Sequence, residues 1–186
     1  MSVMQDYASL KVPTTILNEL WEQLLSENGE CWGRVISNSM HPILNIGDQV
    51  LVEKVFIDNV RSADIVVFKR NGKLTIHRVL GKQNFGEESY FLEKGDATHL
   101  ASFIPAKSVI GRVRVIKKKY RTIHTISGGG RILQLLFSYI SYTSMKFWLI
   151  LEFCLTRGRR TTCQPRYPEL YNKFFSLFNR LILLHL

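Results

Sequence analysis

Ser39, His77 and Asp96 are residue types that together could run acyl-transfer chemistry: a hydroxyl nucleophile, an imidazole to take its proton and a carboxylate to orient the imidazole. Ser39 lies in Ile36-Ser37-Asn38-Ser39-Met40-His41-Pro42, where a short apolar run exits sharply, proline restricts the chain, and Gly47-Asp48 re-enters a strand. Such a bend can lift a hydroxyl out of a sheet. Taken alone it is also ordinary turn chemistry. Serine needs a base, and a free imidazole, with a pKa of about 6.5, is largely neutral near pH 7 and able to accept a proton. His77 stands in Ile76-His77-Arg78-Val79, and Asp96 closes Lys94-Gly95-Asp96 on a tight turn. A lone strand histidine or turn aspartate is usually structural, so the argument rests on their combination.

Five segments in order carry a resemblance. Ser37 to Pro42 with Gly47-Asp48, then Asp64-Ile65-Val66-Val67-Phe68, Ile76 to Val79, Lys94-Gly95-Asp96 and Ile110-Gly111-Arg112-Val113 resemble the boxes of the type I signal peptidases, over roughly residues 33 to 116. The self-cleaving LexA-like repressors share the serine box and the sheet. Bacterial signal peptidases and those repressors use a lysine base, whereas His77 resembles the serine–histidine type of the endoplasmic reticulum and archaea. The resemblance implies Ser39 as nucleophile, His77 as general base and Asp96 as its orienting acid. It also implies an oxyanion hole from the Ser37 hydroxyl and the Ser39 N–H. The family usually carries a further aspartate five or six residues after Asp96; Ala101 and Ser102 stand there instead. Asn38 replaces a usual glycine, and asparagine tolerates left-handed backbone better than most residues. His41 either meets substrate or decorates the surface, and no role is assigned to His99 or His124.

These groups must be positioned by a mainly β domain. Trp32 to Ile36, Val50 to Val55, Ile65 to Arg70, Lys73 to Leu80, Tyr90 to Lys94 and Val109 to Ile116 are rich in β-branched and aromatic residues. Asn71-Gly72 predicts a type I′ hairpin between the third and fourth of these. His77 should then share a face with Thr75 and Val79. Ahead of the strands, Ile16, Leu17, Leu20, Trp21, Leu24 and Leu25 predict an amphipathic helix stopped by Asn28-Gly29 and packed on the sheet. The expected organisation is an N-terminal arm and helix over 1–30, a catalytic domain over 31–116, a basic and Gly-rich linker over 117–131, and an apolar, basic tail over 132–186 forming C-terminal helices.

Composition bounds the partners. The chain has 186 residues, 46% hydrophobic and 22% charged, enough for one real core. Its +10 formal charge is uneven: residues 1–111 hold 11 Lys/Arg against 13 Asp/Glu, and 112–186 hold 14 against 2. Residues 132–155 are apolar and aromatic but interrupted by Gln134, Lys146 and Glu152, a poor bilayer span. Basic residues flanking apolar ones suit a lipid surface better than nucleic acid, so membrane lipid is the expected partner and nucleic acid is not. The side of the membrane on which the catalytic domain lies is not given by the flanking charges. The N-terminus shows neither a cleavable signal nor an anchor pattern. Cys31, Cys154 and Cys163 have no metal spacing, and neither metal nor cofactor is expected.

The expected function is a membrane-associated serine endopeptidase cutting a leader from a peptide or preprotein. The resemblance implies small residues, Ala or Gly, before the scissile bond. The alternative is a LexA-like regulator or a weakly catalytic binding relative on the same sheet.

Overall fold

The computed structural model describes residues 14–98 and 101–155. Helix α1 (Thr14–Asn28) leads into an antiparallel sheet: β1 (Glu30–Arg34), β2 (Gln49–Glu53), β3 (Ile65–Arg70), β4 (Lys73–Phe85), β5 (Glu88–Lys94), β6 (Ala101–Pro105), β7 (Val109–Lys117) and β8 (Thr122–His124). Helix α2 (Gly128–Leu155) follows. The strands lie in the order β1-β2-β7-β3-β4-β5-β6, with β8 on β7. The mainly β expectation and the N-terminal helix both hold. β6 and β8, absent from the sequence reading, are a five-residue and a three-residue strand with little alternation of their own.

Asn71 and Gly72 both have positive φ, 50° and 72°, which is the type I′ signature. They set the register Arg70↔Lys73 through Ile65↔Arg78. His77 therefore pairs with Val66, and its ring meets Phe68 edge-on at 5.9 Å. On β5 the partners of Arg78 and Val79 are Lys94 and Glu93, and Glu93 faces Ser102 on β6. Alternation then sorts the side chains: His77, Val79, Glu93 and Ser102 on one face, Arg78 and Lys94 on the other.

One core, on the Arg78 and Lys94 side, gathers Trp21 and Leu25 from α1, Val50, Val52, Ile65, Val67, Val113 and Ile116 from the sheet, and Phe137 from α2. Met40, Ile43 and Leu44 join it from the serine loop. Burying side chains of this kind contributes about 1.5–3 kcal/mol each, so the loop carrying Ser39 is anchored. The other face holds Val60, Val66, Phe68, Val79, Phe91, Ile104 and Ala106. Only part of the expected apolar face of α1 packs: Trp21 and Leu25 are buried, while Ile16, Leu17 and Leu20 stay exposed.

Within residues 117–131, expected as a linker, β8 hydrogen-bonds to β7 and Gly128-Gly129-Gly130 form the first turn of α2. Tertiary contacts outweigh the poor helix propensity of glycine here. Arg131 donates to the Asp64 carboxylate at 2.5 Å and to the Ser62 carbonyl at 3.0 Å, and Phe137 enters the core. Among the described residues no helix is long and apolar enough to cross a membrane. The expected C-terminal segment Tyr171 to Leu186 lies outside the described residues.

The polarity of α2 is inverted. Gln134, Ser138 and Ser141 are buried against the domain with Phe137, whereas Ile132, Leu135, Leu136, Tyr139, Phe147 and Ile150 are exposed. Spacings of three and four place each set on its own face.

Candidate active site

Ser39 sits in the loop between β1 and β2 that the core anchors. His41 N–H donates to Asn38 O and Leu44 N–H to Met40 O, and Asn45 N–H is held by the Asp48 carboxylate at 2.9 Å. His41 Nδ1 lies 2.8 Å from Asn45 Oδ1, so this imidazole braces the loop. A second tether reaches across the sheet: Ala97 N–H donates to the Ser39 carbonyl at 2.8 Å. Gly95, fully buried in that turn, permits the approach. A Cβ there would stand 2.6 Å from the Ser39 carbonyl oxygen and 3.0 Å from His77 Nε2. A single methyl group's space thus separates the serine loop from the imidazole.

The Ser39 hydroxyl has Ser37 Oγ as its neighbour at 3.4 Å, and no bond joins it to His77 in this conformation. Catalytic hydrogen bonds of free enzymes are often long and tighten only around substrate. Ser37 is exposed, with its hydroxyl next to that of Ser39. The Ser39 N–H has no partner among the described residues.

His77 is half-buried on β4, its side chain 12% exposed. Its Nδ1 lies 2.5 Å from Glu93 Oε2, and its Nε2 faces Gly95. No hydrogen bond joins Asp96 to it in this conformation. Both Asp96 oxygens are taken by Arg78, Nε at 2.8 Å and Nη2 at 2.6 Å, within the buried face opposite His77. The acid expected to orient the imidazole thus meets the next residue on β4, Arg78, while His77 itself reaches the same turn at Gly95. Arg78, fully buried, also donates from Nη1 to the Ala63 carbonyl at 3.2 Å and to the Gln134 side chain at 2.5 Å. Lys94 beside it donates to Ser141 Oγ at 3.0 Å and to the Gly95 carbonyl at 3.3 Å. The buried polar stripe of α2 therefore supplies acceptors to two buried cations, Arg78 next to His77 and Lys94 next to Gly95.

Glu93 is the residue that sequence reasoning passed over. Within Tyr90 to Lys94 it reads as an exposed strand polar residue, and its only signal is its place one step before Lys94-Gly95-Asp96. Its carboxyl is 2% exposed, and besides His77 it is bonded to Ser102 Oγ and, at 2.5 Å, to Arg70 Nη2. Burial pushes this carboxyl up, but the hydrogen bonds from His77, Ser102 and Arg70 outweigh it and hold the group below the usual carboxylate range. Lys69 is paired with Glu22 on α1 at 3.0 Å and Lys73 is exposed at the hairpin. His99 lies outside the described residues, and His124 is exposed on β8. Among the described residues no three His, Cys, Asp or Glu side chains converge in a way that could hold a metal ion.

No individual curated protein matches the chain in sequence. A family model does: residues 6–113, more than half of the length and reaching from α1 into β7, match the Peptidase S24-like model. The chain belongs to the Peptidase S24-like family, the LexA-like and signal peptidase-like serine peptidases.

Proposed function

We propose that this protein is a serine endopeptidase in which Ser39 attacks the scissile carbonyl and His77 is the general base. The observation that carries the reading is the arrangement around Gly95: an anchored serine loop meets there the Nε2 of a half-buried imidazole, which has no hydrogen-bond partner among the described residues. The Ser39 hydroxyl proton passes to His77 Nε2 as the oxygen bonds to the carbonyl carbon. The oxyanion that forms is met by the Ser37 hydroxyl and the Ser39 N–H. The same proton then goes to the leaving amine, and water, deprotonated by His77, releases the acyl group from Ser39. The substrate on this reading is a peptide or preprotein leader with Ala or Gly at the first and third positions before the cut.

The membrane is the proposed setting. The outer face of α2 offers Leu135, Leu136, Tyr139 and Phe147, with the Lys146 ammonium 5.4 Å from the Tyr142 ring centre. Apolar and aromatic residues with a cation, on a helix unsuited to crossing, fit a position in the plane of an anionic lipid surface.

The test is cleavage of internally quenched peptides by the full chain, with and without vesicles containing phosphatidylglycerol. The parent should cut a peptide with Ala at both positions and be slower on one with Leu there. Ser39→Ala and His77→Ala should each abolish cleavage, and the double variant should be little worse than either, since the two act as a unit. A Ser39→Ala protein that cuts like the parent sinks the proposal. Cutting confined to the chain itself, lost in Ser39→Ala, would place the protein with self-cleaving regulators instead.

A further inference from the structure

Glu93 occupies a position that a simple strand-to-strand ion pair does not require. Each of its oxygens has a distinct set of partners among the described residues: Oε2 faces His77 Nδ1, and Oε1 takes Ser102 Oγ and Arg70 Nη2. Arg70 stands at the end of β3, next to the Asn71-Gly72 turn, its guanidinium 5.2 Å from the Phe68 ring centre. The turn itself is fastened to α1, Asn18 donating to the Gly72 carbonyl at 2.7 Å. Three neighbouring strands thus converge on one carboxylate. An ionised carboxylate only accepts, so the His77 nitrogen that faces it must carry the hydrogen. The neutral imidazole is then left with its lone pair on Nε2, on the Gly95 side where Ser39 stands.

We propose that Glu93 is the positioning carboxylate of His77, fixing the Nδ1–H tautomer and stabilising the imidazolium, with Arg70 and Ser102 holding Glu93 in place. The inference rests on the reading of Ser39 and His77 as nucleophile and base. When His77 Nε2 takes the Ser39 proton, both ring nitrogens carry hydrogen, and the positive charge forms against a carboxylate that stays ionised. Glu93 neither gives nor receives a proton. Asp96 in this scheme serves the fold through Arg78. The acid absent at 101 and 102 is thereby supplied from β5, directly across from Ser102.

The experiment uses the full chain, labelled with nitrogen-15, and reads the His77 ring nitrogens by long-range proton–nitrogen correlation alongside cleavage kinetics. In the parent, the neutral His77 ring should show a protonated Nδ1 and an unprotonated Nε2. Glu93→Gln, which keeps the size of the side chain, should give a mixture of tautomers. Its kcat should fall by about 10²-fold or more with KM within about threefold, as expected for loss of a group acting in the transition state. Glu93→Asp should recover part of both signals. Asp96→Asn should leave the His77 tautomer as in the parent. A parent-like tautomer and kcat in Glu93→Gln would overturn the proposal, as would a tautomer that changes in Asp96→Asn and not in Glu93→Gln. If the parent cuts no peptide, the peptidase reading falls, yet the ring nitrogens still decide whether Glu93 sets the tautomer.

Discussion

The backbone carbonyl of Ser39 accepts a hydrogen bond from the N–H of Ala97 at 2.8 Å, so the serine loop is fastened to the turn that ends β5 rather than left on its own hairpin. Only a glycine at position 95 leaves room for that bond and for His77 Nε2 together.

Gly95→Ala should therefore injure the site more than the fold. The new methyl meets backbone on one side and the imidazole on the other, and overpacking of this kind costs about 1–3 kcal/mol. Displacement of the serine loop by about 1 Å can lower the rate by about 10²-fold. Cleavage kinetics beside a urea titration check both effects, and parent-like kcat would show that the approach at Gly95 is not used.

Arg78 and Asp96 should behave as a buried pair. Asp96→Asn or Arg78→Met alone leaves a buried charge short of its partner, a loss of about 3–5 kcal/mol. The double variant should lose less than the two single changes added together. Urea denaturation measures this, and strict additivity would argue against the pairing.

Lys94 sets a pH dependence of stability. Burial lowers its ammonium to about 8, against attraction from Asp96 and with repulsion from Arg78. The unfolded chain keeps the ordinary higher value and binds more protons between the two, so the Lys94 contribution to stability should rise with pH from about 8 to about 10.5. The rise is roughly 3 kcal/mol at most. The difference between the parent and Lys94→Met, measured by denaturant titration across that range, should follow this slope.

The two faces of α2 should separate in their effects. Tyr139→Asp on the outer face should weaken co-sedimentation with phosphatidylglycerol vesicles while changing stability by no more than about 0.5 kcal/mol. Gln134→Leu on the inner face should leave vesicle binding and destabilise by about 1–3 kcal/mol, because an Arg78 donor loses its acceptor. Equal vesicle binding by the parent and Tyr139→Asp would remove the lipid surface from the proposal.

Local chemistry alone determined much of this protein. β-branched runs and the Asn71-Gly72 turn specify β3 and β4, and hence the face on which His77 stands, because turn type and side-chain alternation act over a few residues. The serine box, with Met40, Ile43 and Leu44 between its polar residues, likewise encodes both the bend and the anchors that hold it. Tertiary structure decided which acid meets the imidazole. Asp96 is adjacent to the right turn, but register pairs Arg78 with Lys94 and turns Asp96 to Arg78, while Glu93 arrives across the strand on the face of His77. The apolar stretch after residue 131 looked like an appendage for the same reason. Its buried stripe is polar, Gln134, Ser138 and Ser141, and a polar stripe becomes an inward face only when buried cations such as Arg78 and Lys94 are there to be satisfied.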